Sequence, residues 1–222
     1  MKSLFILFIS FLFVAISLMG QNINVGPYLQ DAEPSSITIM WETSSGNEST
    51  VEWGTSNALG NSSSGIFIAG NGLSRIHTTV LSGLESNTKY YYKVITNNAQ
   101  SNVFDFVTPP LPNSEAPVNL VSMSDMQQDW QHTNVFEDII NDELIPFVNN
   151  RFGNDLSTDL AYVFIPGDLV ATGSNYSSWK STFFDPAQAL FQHVPVYPVA
   201  GNHEQNSENY FKYFNLPANG TN

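Results

Sequence analysis

Between residues 21 and 108, apolar and polar residues alternate in short runs. "SSITIMWET", "STVEWGT", "TKYYYKVIT" and "NVFDFVT" are rich in β-branched and aromatic side chains, and polar stretches such as "SSGNE", "GNSSSG" and "SGLESNT" separate them. Alternation of period two turns one face of each run toward a core. About seven short strands of this kind predict a β-sandwich, with Trp41, Val51, Leu81, Leu84, Tyr91 and Val94 filling the space between two sheets. No cluster in this region has a catalytic look.

Proline then concentrates in "TPPLPNSEAPV", the composition of an extended linker, placed at 109–117. From 118 to 222 the rhythm becomes strand, then helix. "VNLVSMSD", "LAYVFIPGD" and "VPVYPVAGNHE" read as buried strands; "NVFEDIINDELIPFVNN" and "NYSSWKSTFFDPAQALFQ" carry apolar residues at helical spacing. The order β-α-β-α-β predicts a mainly parallel sheet. The fold expected is therefore multidomain, an all-β sandwich followed by an α/β unit.

At the amino end, Lys2 precedes an apolar run that reaches Met19 and turns polar at Gln21. This is the pattern of a secretory signal peptide over residues 1–20, with a membrane-anchoring helix as the alternative. It predicts a secreted, periplasmic or extracellular protein with no stable membrane anchor after cleavage.

Seven Lys and Arg stand against twenty Asp and Glu, a formal charge of -13. Such a surface repels a phosphate backbone, so nucleic acid is excluded as a partner. The chain has no cysteine, which rules out disulfides, thiolate metal sites and a cysteine nucleophile. Any metal must be held by oxygen and imidazole.

In open parallel sheets, ligands collect outside the carboxyl ends of the strands. Each of the three expected strands ends there in polar residues: Asp125 in "SDMQ", Asp168 in "PGDL", and Asn202 in "GNHE", 43 and 34 residues apart. A glycine before Asp168 and before Asn202 lets the backbone turn sharply toward a ligand. Singly, each motif has an ordinary reading, since Gly-Asp and Gly-Asn are turn dipeptides and Asp125 could cap the next helix. Together, in this order and each after an apolar strand, they point to a metal site.

The constellation resembles the calcineurin-like metallophosphoesterase superfamily. With "GPYLQ", "ITIMWET", "VEWGTS" and "LSGLESNTKYYYKV" before it, the chain is similar to purple acid phosphatases, whose N-terminal domain is fibronectin type III-like. The resemblance implies two metal ions, drawn from Fe, Zn or Mn. Asp125 would bind the first, Asp168 would bridge both, and Asn202 would bind the second. His203 would face the substrate phosphate, stabilising charge or protonating the departing alkoxide. The activity implied is hydrolysis of phosphate monoesters by a metal-activated hydroxide; a non-catalytic binding protein built on the same two folds is the alternative.

The chain also departs from the family pattern. The tyrosine expected three residues after the bridging aspartate is replaced by Ala171, and Tyr176 lies too far along to substitute easily. Gln127 stands two residues after Asp125, where the superfamily usually has histidine; its carbonyl oxygen is the donor expected there. Glu204 is expected to orient His203 or the turn, while His132 is read as a loop residue. Beyond His203 there is no histidine, so the family's later ligands are missing and the sequence reads as the N-terminal part of a longer protein.

Overall fold

The computed structural model describes residues 21–215; the expected signal peptide lies outside the described residues. The first part of the chain folds as two packed antiparallel sheets. One has the order β1 (Ile23–Glu33), β2 (Ser36–Thr43), β6 (Arg75–Ser82), β5 (Ile66–Ala69); the other has the order β4 (Asn61–Ser64), β3 (Thr50–Gly54), β7 (Lys89–Thr96), β8 (Ala99–Gln100). A further strand, β9 (Phe104–Val107), pairs with β7. Leu29, Ile37, Ile39, Trp41, Val51, Leu81, Leu84, Tyr90, Tyr92, Val94 and Phe106 are buried between the sheets.

Two expectations need correction. Tyr91 is only half-buried, and its neighbours Tyr90 and Tyr92 occupy the core instead. The pleat requires this: Val94 points inward, so Tyr92 and Tyr90 do too, and Tyr91 must face the other way. The polar "GNSSSG", read as a connection, forms β4, paired to β3 from Thr50↔Ser64 to Trp53↔Asn61. It is an edge strand, held by backbone hydrogen bonds and needing no apolar face of its own.

The second part contains the expected alternation of strands and helices. Strands β10 (Leu120–Ser122), β11 (Tyr162–Pro166) and β12 (Val196–Val199) are parallel and adjacent in that order. Helical segments over 135–151 and 176–191 make the crossovers. Each contains a six-residue π-helical stretch, Ile139–Leu144 and Trp179–Phe184, placed just before an interior proline, Pro146 or Pro186. Proline has no N–H for the helical ladder and crowds the preceding turn; the wider π turn accommodates it.

The two parts share a core. Val25, Tyr28, Met40 and Ile76, on the outer face of the β1–β2–β6–β5 sheet, pack with Trp179, Phe183, Phe184 and Tyr213 of the α/β part. Polar contacts fasten the same junction. Tyr28 Oη donates to the Tyr213 carbonyl (2.7 Å), and Tyr213 Oη donates to Glu42 Oε2 (2.8 Å). Tyr197 Oη accepts from the Ala32 amide at 2.8 Å. Lys89 Nζ lies between Asp105 (3.0 Å) and Asp155 (2.5 Å). Burial opposes ionisation of both carboxyls, but His193 and Lys89 at Asp105, and Lys89 and Ser157 at Asp155, outweigh it and lower both pKa values.

Candidate metal centre

Because β10, β11 and β12 run in parallel, the turns that follow them lie side by side at one edge of the sheet. Asp125, Asp168 and Asn202 sit in those three turns. The loop after β10 stays attached to the turn after β11: the Asp125 amide donates to the Gly167 carbonyl (3.4 Å) and the Gln127 amide to the Asp168 carbonyl (3.2 Å). Asp125 does not cap a helix, since the next helix is capped at Asn134.

Asp125 and Asp168 both have left-handed backbones, with φ of 57° and 52°. Few residues other than glycine adopt this conformation, although Asp and Asn tolerate it best. Gly167, at φ 106°, makes the sharp turn out of β11, and a Cβ on it would come within 3.1 Å of the Gly201 backbone. A Cβ on Gly201 would run into the amide and carboxylate of Asp168. The two glycines thus allow the second and third turns to touch.

The contacts between those turns are dense. Asp168 Oδ1 accepts from the His203 amide (3.0 Å), and the His203 carbonyl accepts from the Gly173 amide (2.9 Å). His203 Nδ1 lies 2.8 Å from the Ala171 carbonyl. A carbonyl can only accept, so Nδ1 carries the hydrogen and Nε2 remains the free ring nitrogen. Glu204 therefore does not orient the imidazole. Its carboxylate is fully buried and accepts from backbone amides of both turns.

The donors available to a cation are carboxylate and amide oxygens. Asp125 Oδ2 accepts from its neighbour Ser124 Oγ at 2.5 Å. Gln127 Oε1 is buried and has no hydrogen-bond partner, an arrangement that costs free energy unless something accepts its lone pairs. Asn202 is exposed in its turn. Hard oxygen donors of this kind suit Mn, Zn or Fe ions better than soft metals, so the residues present fit a hard cation in chemical type. Among the described residues no group of three or more His, Asp or Glu side chains is close enough to hold a metal.

A cavity of about 340 Å³ opens beside this edge, lined by Asp125, Gln127, Met126, His132 and Phe136 among others. Asp168, Asn202 and His203 lie outside it. His132 is exposed, and its Nδ1 is 3.0 Å from the Asp129 carboxylate, which agrees with its reading as a loop residue. Tyr176 does not approach the centre: its hydroxyl is 3.0 Å from Ser74 Oγ, and its ring stacks on Tyr213 at the junction of the two parts.

Two family models match the chain. The purple acid phosphatase N-terminal domain covers residues 24–108, and the calcineurin-like phosphoesterase domain covers residues 119–222. Among solved structures, a purple acid phosphatase from yellow lupin (Lupinus luteus) seeds aligns over 87% of this chain with a TM-score of 0.63 and 20% identity. The structure of PhoD aligns over 82% with a TM-score of 0.55 and 13% identity. At these identities the likeness is one of fold. The chain spans 41% of the lupin protein and 39% of PhoD. Among curated protein sequences none matches. The chain therefore joins an N-terminal all-β domain of the purple acid phosphatase type to a calcineurin-like phosphoesterase domain, the combination that its resemblance to purple acid phosphatases implied.

Proposed function

We propose that this chain carries the first half of the metal site of a secreted phosphoesterase that acts on phosphate monoesters. The reading is carried by one observation: Asp125, Gln127, Asp168 and Asn202 occupy turns at the same edge of three adjacent parallel strands, with the Gln127 carbonyl oxygen buried and unbonded. Asp125 and Gln127 would hold one cation, Asn202 a second, and Asp168 would serve both through the carboxylate oxygen that His203 leaves free. When bound, two such cations acidify a water molecule and neutralise phosphoryl oxygens. His203 presents Nε2 as its free nitrogen, the atom able to hold a proton for the leaving group.

Export rests on Lys2 and the apolar run that follows it. Among the described residues no helix is long and apolar enough to cross a membrane. Ala171 in the tyrosine position and Tyr176 engaged at the junction favour a centre without tyrosinate-bound iron.

The test is Mn²⁺ binding by electron paramagnetic resonance, together with release of p-nitrophenol from its phosphate ester, for the chain and its Asp168→Ala variant. The variant should remain folded and lose Mn²⁺ binding at least tenfold, along with any hydrolysis. Equal Mn²⁺ affinity in both would refute the assignment. Binding without turnover, in a protein extended to the full length of the phosphoesterase domain, would favour a non-catalytic binding role.

A further inference from the structure

Among the described residues Glu204 is the one fully buried carboxylate at this edge of the sheet, at 0% exposure. Among the described residues no Lys, Arg or His forms a salt bridge with it; its partners are backbone amides. Oε1 accepts from Leu169 (2.8 Å) and Val170 (3.2 Å), while Oε2 accepts from Asp168 (3.0 Å) and Gly201 (2.7 Å). Three of these amides belong to the turn after β11 and one to the turn after β12, so Oε2 bridges the two. Hydrogen bonds to a charged acceptor are about twice as strong as neutral ones, and those offered here satisfy a charge that would otherwise be costly to bury.

We propose that Glu204 is a positioning residue: its carboxylate clasps the turns after β11 and β12 and so sets the spacing between Asp168 and Asn202. This rests on the reading of those residues as metal ligands. Asp168 donates its own amide to Glu204 and accepts the His203 amide through its side chain. Its left-handed backbone is therefore held from both sides. Gly173, where a Cβ would collide with the Glu204 backbone, shows how closely the two turns are drawn together. Partners that orient ligands from outside the coordination sphere typically change metal affinity about ten- to hundred-fold when removed.

The predicted consequence is specific to the carboxylate. In Glu204→Gln, one oxygen becomes an NH₂ group. Whichever way the amide is turned, it faces either the Leu169–Val170 pair or the Asp168–Gly201 pair, donor against donor. Glu204→Asp keeps the charge but shortens the reach by one methylene, so it cannot serve both turns equally. Both variants are to be compared with the unaltered chain by amide hydrogen exchange without metal and by Mn²⁺ titration followed by electron paramagnetic resonance.

The expected result is faster exchange at Asp168, Leu169, Val170 and Gly201, with β1 to β9 unaffected. Mn²⁺ affinity should fall about ten- to hundred-fold in the amide variant and less in the aspartate variant. Unchanged Mn²⁺ affinity in a folded Glu204→Gln protein would overturn the proposal while leaving the ligand reading intact. An unaltered chain that takes up no Mn²⁺ would instead sink the ligand reading, and the positioning role with it. If neither variant folds, Glu204 serves folding alone and the proposal is likewise overturned.

Discussion

His77 provides a quantitative test of the sandwich. It lies on β6 opposite Trp41, is fully buried, and stacks on that indole at 4.9 Å with 12° between the planes. Thr43 Oγ1 gives its hydrogen to the Ser45 carbonyl (2.9 Å), so it must accept from His77 Nε2–H at 2.8 Å. Ser49 Oγ then donates to Nδ1 at 2.8 Å. Both ring nitrogens are satisfied with the imidazole neutral, and a second proton would displace the serine hydrogen. Burial, with a smaller contribution from Arg75, pulls the His77 pKa down from 6.5 to about 4.

The unfolded chain therefore binds a proton on His77 at pH values where the folded chain does not. The stability this residue contributes is complete above pH 6.5 and lost as pH falls toward 4. The loss amounts to about 2 kcal/mol at pH 5 and about 3 kcal/mol at pH 4. Urea unfolding, followed by tryptophan fluorescence, of the chain and of His77→Gln at pH 7 and pH 5 isolates this effect. Glu42, whose pKa burial raises, titrates with the opposite sign but is present in both proteins and cancels. The stability gap between the two proteins should narrow by about 2 kcal/mol at pH 5. A gap that stays constant between the two pH values would show that His77 is not held neutral.

Tyr213→Phe removes the hydroxyl that donates to buried Glu42 at 2.8 Å; chemical denaturation should show a loss of about 1–3 kcal/mol, and no measurable loss would mean that water solvates Glu42 there. Gly201→Ala places a methyl group against the Asp168 amide and carboxylate, so Mn²⁺ affinity should fall at least tenfold; unchanged affinity would show that the turns part without consequence. Iron-loaded protein should lack a strong tyrosinate-to-iron absorption band, given Ala171 and the engagement of Tyr176 with Ser74; a purple preparation would contradict this.

The architecture was legible because period-two and helical patterns mark whichever face must leave water, and such burial is decided largely within each element. Trp41, Val51 and Leu81 are core positions in the sequence pattern and in the fold alike. Tyr91 was assigned to the wrong face although the information was present, since Val94, three residues on, fixes the parity of the strand. The β4 strand was not legible, because an edge strand made of Asn and Ser is held by pairing to Trp53 and its neighbours, not by apolar burial.

By itself, the sequence determined the order of strands and helices, the absence of thiolate ligands, and the candidate donors Asp125, Gln127, Asp168 and Asn202 at strand ends. These follow from residue type and local spacing. Tertiary structure alone decided what acts between elements: that Glu204 takes the amides of the turn after β11 and not the imidazole, that the Ala171 carbonyl leaves His203 Nε2 free, and that Tyr176 is taken up at the junction with the sandwich. The hydrogen bonds that join different elements here, between residues 32 to 102 positions apart, leave no periodic trace in the chain. They exist only once the parallel sheet has brought its strand ends together and the β1–β2–β6–β5 sheet has packed against its helices.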